Sequence, residues 1–454
     1  LTSAQAGLLP AATESTVERI ADTYGEPAWM RAARHAALRR ALELPVESNL
    51  LFKTYVDLRA AHFDAIEPYL DTGDAADVAD ALPEGAAGLL AISEDRVTVR
   101  ALSDSARAAG VVLDTTSHGL REHPELLPQV QAMVEQDDTL PIEDKFAQLA
   151  RALSTVGVLV HVPAGVTLAA PLVIRWAAGA AGRGLLTRTL INLGRDAHAT
   201  ILEEQLPSGA AAAAGAATDG QSLWWGTSEL ALDDAATLKF AGQQNFGPDT
   251  LMFVNRQARL ARDAQLRWSL ASVGGQLQKS RIDNILEGRG AGVRQAEIVF
   301  GGGSQLFDLT SYTHHVGADT TGDLLSKGVF LDRSRGYFKG LIRIDHSARG
   351  TDSFLGEFSM LLDKKARSVA IPSLEIDQPD VRRAAHSSSV GPIDETQVFY
   401  LMSRGLPREL ARKFIVLGFL EPVVARIPLL EAEERLRALL DAKWPTSPAE
   451  QSAA

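Results

Sequence analysis

Ten histidines and 57 acidic side chains give this 454-residue chain many groups that could hold a metal or move a proton. Their spacing removes most of them. In Ser311-Tyr312-Thr313-His314-His315 the two imidazoles are adjacent, so on a strand they face opposite ways and cannot ligate one metal. One ring is expected inside a stacked coil and one on its surface. His161 and His198 stand alone in β-like runs, where a satisfied or solvated side chain is expected. The acid pairs Glu203-Glu204 and Asp233-Asp234 suggest carboxylates flanking a glycosidic bond, but adjacent acids on a strand diverge, which predicts solvated corners. Gly301-Gly302-Gly303 lacks the Lys-Ser/Thr ending of a phosphate loop and reads as a tight corner. His386 differs in its setting, Arg382-Arg383-Ala384-Ala385-His386-Ser387-Ser388-Ser389. Small neighbours would let another chain or a cluster approach an imidazole that suits iron as well as zinc. On chemistry alone it is a histidine of a connecting loop. There is no cysteine, hence no disulfide and no thiolate to hold an iron–sulfur cluster.

The elements that must position these groups fall into three textures. Up to about residue 140 the chain reads as helical: Thr13 caps a helix carrying Val17 and Ile20, and Pro27 opens a second over Trp29–Leu44. Asp71–Ala87 reads as a connection, and Pro124–Gln136 again has helical spacing. From about Val158 to Ile376, short β-branched and aliphatic runs alternate with recurring breakers such as Arg195-Asp196-Ala197, Arg262-Asp263-Ala264 and Gly317-Ala318-Asp319. Short strands with similar corners are what a solenoid needs, because each coil buries its apolar row against the next. Gly209–Gly220 is Ala- and Gly-rich and reads as a mobile loop. After Pro392 helical spacing returns. Asp394 and Gln397 form a capping-box pattern, Gly405 is placed as a C-cap, Pro407 opens a helix reaching Gly418-Phe419, and Pro428–Trp444 carries a third apolar stripe.

With 46% hydrophobic and 22% charged residues the chain can bury a substantial core. A net charge of −12 argues against a general role on nucleic acid. No run approaches the roughly 20 apolar residues of a membrane span, and Leu1–Pro10 lacks the pattern of a secretion signal, so a cytoplasmic protein without membrane contact is expected.

The block from Gly328 to Phe419 resembles the SufB/SufD family. It contains Gly336-Tyr337-Phe338-Lys339-Gly340-Leu341-Ile342-Arg343, Leu361-Leu362, Ile371-Pro372-Ser373-Leu374-Glu375-Ile376, Asp380-Val381 and His386. Gly391-Pro392-Ile393-Asp394 and Phe399-Tyr400-Leu401-Met402-Ser403-Arg404-Gly405 follow. Gly25-Glu26-Pro27-Ala28-Trp29-Met30, Asp144-Lys145-Phe146 and Val162-Pro163-Ala164-Gly165-Val166 extend the likeness over most of the chain.

The resemblance implies a mainly β protein with a central right-handed parallel β-helix (residues 141–380) between N-terminal (1–140) and C-terminal (381–454) α-helical domains. It implies a non-catalytic scaffold for iron–sulfur cluster assembly. The departures point to the SufD type: Asn284 and Phe358 stand where SufB carries cysteines, and Ala385 and Ser387 flank His386 where SufB has acids. A SufD-type chain is expected to hold no cofactor stably alone, to share a nascent cluster with a SufB-type subunit, and to dock the ATPase SufC. His386 is then the metal or cluster candidate at the subunit interface, with Glu375, Asp380 and Gly391 as its supporting motif. Phe399, Tyr400, Arg404, Gly405, Phe414 and Phe419 are the candidates for ATPase docking. Alternatives are a homo-oligomeric scaffold without cluster thiolates, including a homodimer of the isolated chain, and a carbohydrate-active β-helix enzyme.

Overall fold

A computed structural model describes residues 10–135, 141–209, 220–427 and 429–444. The expectations for Leu1–Pro10 up to residue 9, for Pro428, for the polar tail after Trp444 and for most of Gly209–Gly220 lie outside these residues. The centre is a parallel β-solenoid of eight coils, each contributing one strand to each of two sheets. The first sheet stacks Val156–Val162, Arg183–Leu193, Ser222–Leu232, Thr250–Leu260, Leu277–Leu286, Leu306–His315, Arg335–Ile344 and Arg367–Ile376. The second stacks Leu172–Ala178, His198–Pro207, Thr237–Gln244, Gln265–Ser272, Gly292–Gly301, Thr321–Phe330, Asp352–Leu361 and Arg383–Pro392.

The recurring breakers are the corners that lead from the first sheet to the second. At all but the last, one residue turns left-handed: Gly165, Asp196, Ala235, Asp263, Gly290, Asp319 and Gly350 have φ between 56° and 75°. The N–H of that residue donates to a carbonyl of the following coil's corner at 2.7–3.0 Å, from Gly165 to Arg195 at one end and from Gly350 to Asp380 at the other. Asp tolerates this conformation better than most side chains. After Asp263 and Asp319 the next corner uses Gly: a Cβ on Gly290 would meet Asp263 Oδ1 at 2.2 Å, and one on Gly350 would meet Asp319 Oδ1 at 2.6 Å. The following residue turns inward and is small, and Ala197, Ala236, Ala264, Ala291, Thr320 and Thr351 are fully buried.

Inside, side chains stack from coil to coil. Trp176 meets Trp224 edge-on at 6.1 Å, and Phe240 meets Trp268 at 4.8 Å. Several polar groups that enter the stack are paired. Glu203 accepts from Arg256 (2.6 Å) and from the Trp176 indole (3.1 Å). Trp268 donates to Asn284, whose amide reaches Gln295, which in turn donates to Ser311.

Helices cover both outer faces. Asp144 caps Lys145–Leu153, whose Phe146 stacks on Phe253 at 4.9 Å and packs on Trp225 of the first sheet. Ala28–Glu43 packs on that helix. Thr13 caps Glu14–Tyr24 as expected. The first 140 residues are not helical throughout, however. Gly73–Ala79, Gly88–Ser93, Arg96–Leu102 and Val112–Thr115 extend the sheets and close the solenoid's N-terminal end, so the expected Asp71–Ala87 connection contains a strand. At the other end Glu395–Ser403, Arg408–Val424 and Leu430–Ala442 fold back over the second sheet. The middle helix runs beyond Phe419 and through Pro422 to Val424. Lys443 fastens the last one, donating to Phe300 O and Gln305 Oε1 (both 2.6 Å).

Candidate functional site

The C-terminal end of the solenoid is built differently from the N-terminal one. Arg367–Ile376 and Arg383–Pro392 each pair with one strand, Arg335–Ile344 and Asp352–Leu361, and no described strand lies beyond them. Two parallel edges thus end side by side with free N–H and C=O groups. Natural sheet edges are normally blunted by charge, shortness or a covering element. These strands instead leave Ile376 and Val390 44% and 41% exposed.

His386 lies within the last strand, in register with Leu355, rather than in a connecting loop. It is exposed, flanked by Ala385 and Ser387, with Ser388 and Ser389 beyond. Leu355 faces the solenoid interior, so His386 continues that inward row where the coil stops being covered. Two residues along the same row, Ser388 sits in register with Glu357. Glu357 is buried, its Oε2 has no partner, and burial pushes its carboxyl up to about 8.

The expected supporting residues do not gather around His386. Glu375 is on the first sheet, beside a charged groove that includes Arg281, Asp283, His314 and Arg343. Asp380 is a corner residue: its carbonyl accepts from Gly350 N–H and its carboxylate from Arg349 Nε. Gly391 pairs with Met360 near the start of the C-terminal helices, with open space around its Cα. Among the described residues no group of three or more His, Cys, Asp or Glu side chains is arranged to hold a metal.

The adjacent histidines divide as strand geometry predicts. His315 is fully buried between Thr320 Oγ1 (2.9 Å) and Ser353 Oγ (3.0 Å), and burial pushes its pKa down to about 3. His314 faces outward against Asp345 at 2.9 Å. Glu203 and Glu204 also diverge, the latter turning outward to Arg175 and Arg435, but both are fully buried within a strand, covered by ion pairs, rather than at the solvated corner expected. Asp234 is engaged by Arg262. Glu203 and Glu204 thus do not present two carboxylates to one groove. The three glycines form a corner, where Gly303 N–H donates to Asp332 at 2.7 Å.

On the C-terminal helices, Phe399, Tyr400, Met402, Leu410 and Phe414 are 40–71% exposed. Arg404 lies over the Tyr400 ring at 5.3 Å, and Gly405 makes the left-handed turn (φ 94°) between the two helices. Phe419 does not join this face. Its ring is met by Lys327 Nζ at 4.6 Å, and the same ammonium donates to the Phe419 carbonyl at 3.1 Å, turning it toward the solenoid.

Residues 176–419, more than half of the chain, match the family model described as "SUF system FeS cluster assembly, SufBD core domain". This chain belongs to the SufB/SufD family. It is 27% identical over 438 residues to the iron–sulfur cluster assembly protein SufD of Bacillus subtilis, covering 94% of this chain and 97% of that one. It is 25% identical over 445 residues to SufB of the same organism, covering 94% and 92%. A SufBD family protein of Staphylococcus saprophyticus is 25% identical over 446 residues with the same coverage. The chain is therefore an iron–sulfur cluster assembly protein of this family, SufD-like in its similarity. No helix among the described residues is long and apolar enough to cross a membrane.

Strand parity made the adjacent histidines readable in the sequence, whereas His386, expected in a connecting loop, lies within a strand. The interior acid Glu357 escaped that reading, because Phe354, Phe358 and Met360 on the opposite parity suggest the wrong face of its strand as the core.

Proposed function

We propose that this chain is the cysteine-free scaffold subunit of a cluster-assembly complex, pairing through the open end of its solenoid with a SufB-type subunit. The carrying observation is the two uncovered parallel edges beside His386. Strand addition supplies main-chain hydrogen bonds to such edges, and Ile376 and Val390 offer apolar surface to bury at the same join. His386 lies where the partner would arrive. A neutral imidazole there can complete the ligation of a nascent cluster whose thiolates come from the partner, the cluster being cargo rather than a resident cofactor. Glu375, Asp380 and Gly391 then act at a distance, in shaping the last coil.

The exposed face of Phe399, Tyr400 and Phe414 is the docking surface for a SufC-type ATPase. Aromatic anchors with a neighbouring Arg are the composition that dominates interface energetics. Nucleotide-driven movement of that ATPase would shift the join between the two solenoids. The chain itself performs no catalysis in this reading, and it works in the cytoplasm.

Co-expression with SufB- and SufC-type partners, followed by purification and anaerobic cluster reconstitution, tests the proposal. A ternary complex is expected. His386→Ala should leave that complex intact and lower its cluster yield; an undiminished yield removes His386 from the mechanism. Phe399→Asp with Phe414→Asp should lose the ATPase while keeping the SufB-type partner. Truncated aromatic anchors typically cost about 2–4 kcal/mol each, so retention of the ATPase would place its docking surface elsewhere.

A further inference from the structure

Lys239, Arg267 and Arg294 stand in direct register on three successive strands of the second sheet, pointing away from the core. Parallel strands lie about 4.8 Å apart, so the three cations form a ladder with that repeat. Arg426, in the turn after Arg408–Val424, brings a fourth cation to the same cavity of about 340 Å³, whose wall also includes Thr200 and Ser269. All four are exposed.

Like charges placed directly opposite on neighbouring strands repel, and each such pair destabilises the sheet. Three other cations on the solenoid's strands, Arg175, Arg188 and Arg256, each hold a carboxylate. Among the described residues none of the four has an ion pair. Even Asp323, next in register after Arg294, forms none with it. In a chain of net charge −12, three aligned cations joined by a fourth, none of them ion-paired, are a local reversal of the surrounding field.

We propose that this cavity binds a small phosphate-bearing anion with Lys239, Arg267, Arg294 and Arg426 as charge partners and the Thr200 and Ser269 hydroxyls as donors. The linear repeat suits a chain of two or more phosphates better than a single one. Guanidinium groups grip phosphate oxygens through paired N–H donors, whereas Lys239 supplies a point charge. The anion is a free pyrophosphate or the phosphate chain of a nucleotide. The proposal stands independently of how the chain pairs with other subunits.

The full chain is titrated calorimetrically at low ionic strength with pyrophosphate, ATP and adenosine, and its melting temperature is followed alongside. Pyrophosphate is expected to bind and to raise the melting temperature, and adenosine is expected to do neither. Equal affinity for ATP and pyrophosphate identifies the phosphates as the whole determinant, whereas tighter ATP binding identifies a nucleotide site; both outcomes support the proposal. Arg267→Gln should weaken binding about tenfold, the loss of one charge-assisted contact. The triple variant Lys239→Gln, Arg267→Gln, Arg294→Gln should abolish binding yet melt higher than wild type without ligand, because the stacked repulsion is gone. The inference is overturned if pyrophosphate does not bind the wild type, if adenosine binds as well as ATP, or if the triple variant binds pyrophosphate undiminished.

Discussion

Glu357 and His315 place opposite proton linkages within one stack. Glu357 keeps its proton to about pH 8, whereas a free glutamate carboxyl titrates at 4.5. The folded state thus binds the extra proton between those values. The stability it supports is complete below pH 4.5 and is lost as the pH rises through 8. Glu357→Gln removes the dependence, so relative to wild type the variant should gain stability between pH 5 and 8.5, by an amount on the order of a few kcal/mol. Urea unfolding at several pH values measures this, and a pH-independent difference would contradict it. His315 works in the other direction. Its pKa falls from 6.5 to about 3, so its stabilising contribution is complete above pH 6.5 and is lost as the pH falls toward 3. His315→Asn should flatten the acid limb of the same curve. The His314-His315 division was legible in the sequence because parity on a strand is strict. The buried acid was not, because both faces of Asp352–Leu361 carry apolar side chains and hydropathy does not say which face closes the core.

The corners were the most legible element, since their chemistry is local. A left-handed residue followed by a small one recurs over six successive coils, and Asp-Ala or Gly-Ala spells that demand directly. Ala264→Leu, which forces volume into a fully buried corner, should cost about 1–3 kcal/mol in chemical denaturation. The same change at an exposed residue should cost far less. The N-terminal strands were hidden for the opposite reason. Gly-Asp-Ala-Ala-Asp-Val-Ala at 73–79 has little strand propensity of its own and takes its conformation from pairing with Arg96–Leu102. The cation ladder was recoverable in principle, because Lys239, Arg267 and Arg294 recur one coil apart. That period becomes visible only once the coils are aligned by their corners.

For the whole molecule, the contrast between its two ends decides how it assembles. One end is closed by antiparallel and parallel strands of the N-terminal segment, and the other stops at two open edges. Val390→Lys together with Ile376→Lys should abolish pairing with a SufB-type subunit, because two charges at the join oppose strand addition. In the isolated chain the same substitutions should also suppress any self-association through this end, which sedimentation measures. If association persists, the contact lies on another face.

The corner hydrogen bonds make each coil both an acceptor for the coil before and a donor to the coil after. An internal coil therefore occupies a position that another coil could occupy, and removing one returns the backbone to an equivalent junction. The body is assembled like a stack of interchangeable tiles, each answerable only to its neighbours. Its length is then a tally that related chains can raise or lower by whole coils, while the fit of the side-chain stack decides which coils tolerate one another. Deleting an entire coil should be less disruptive to the fold than deleting half of one, an unusual property in a protein of 454 residues.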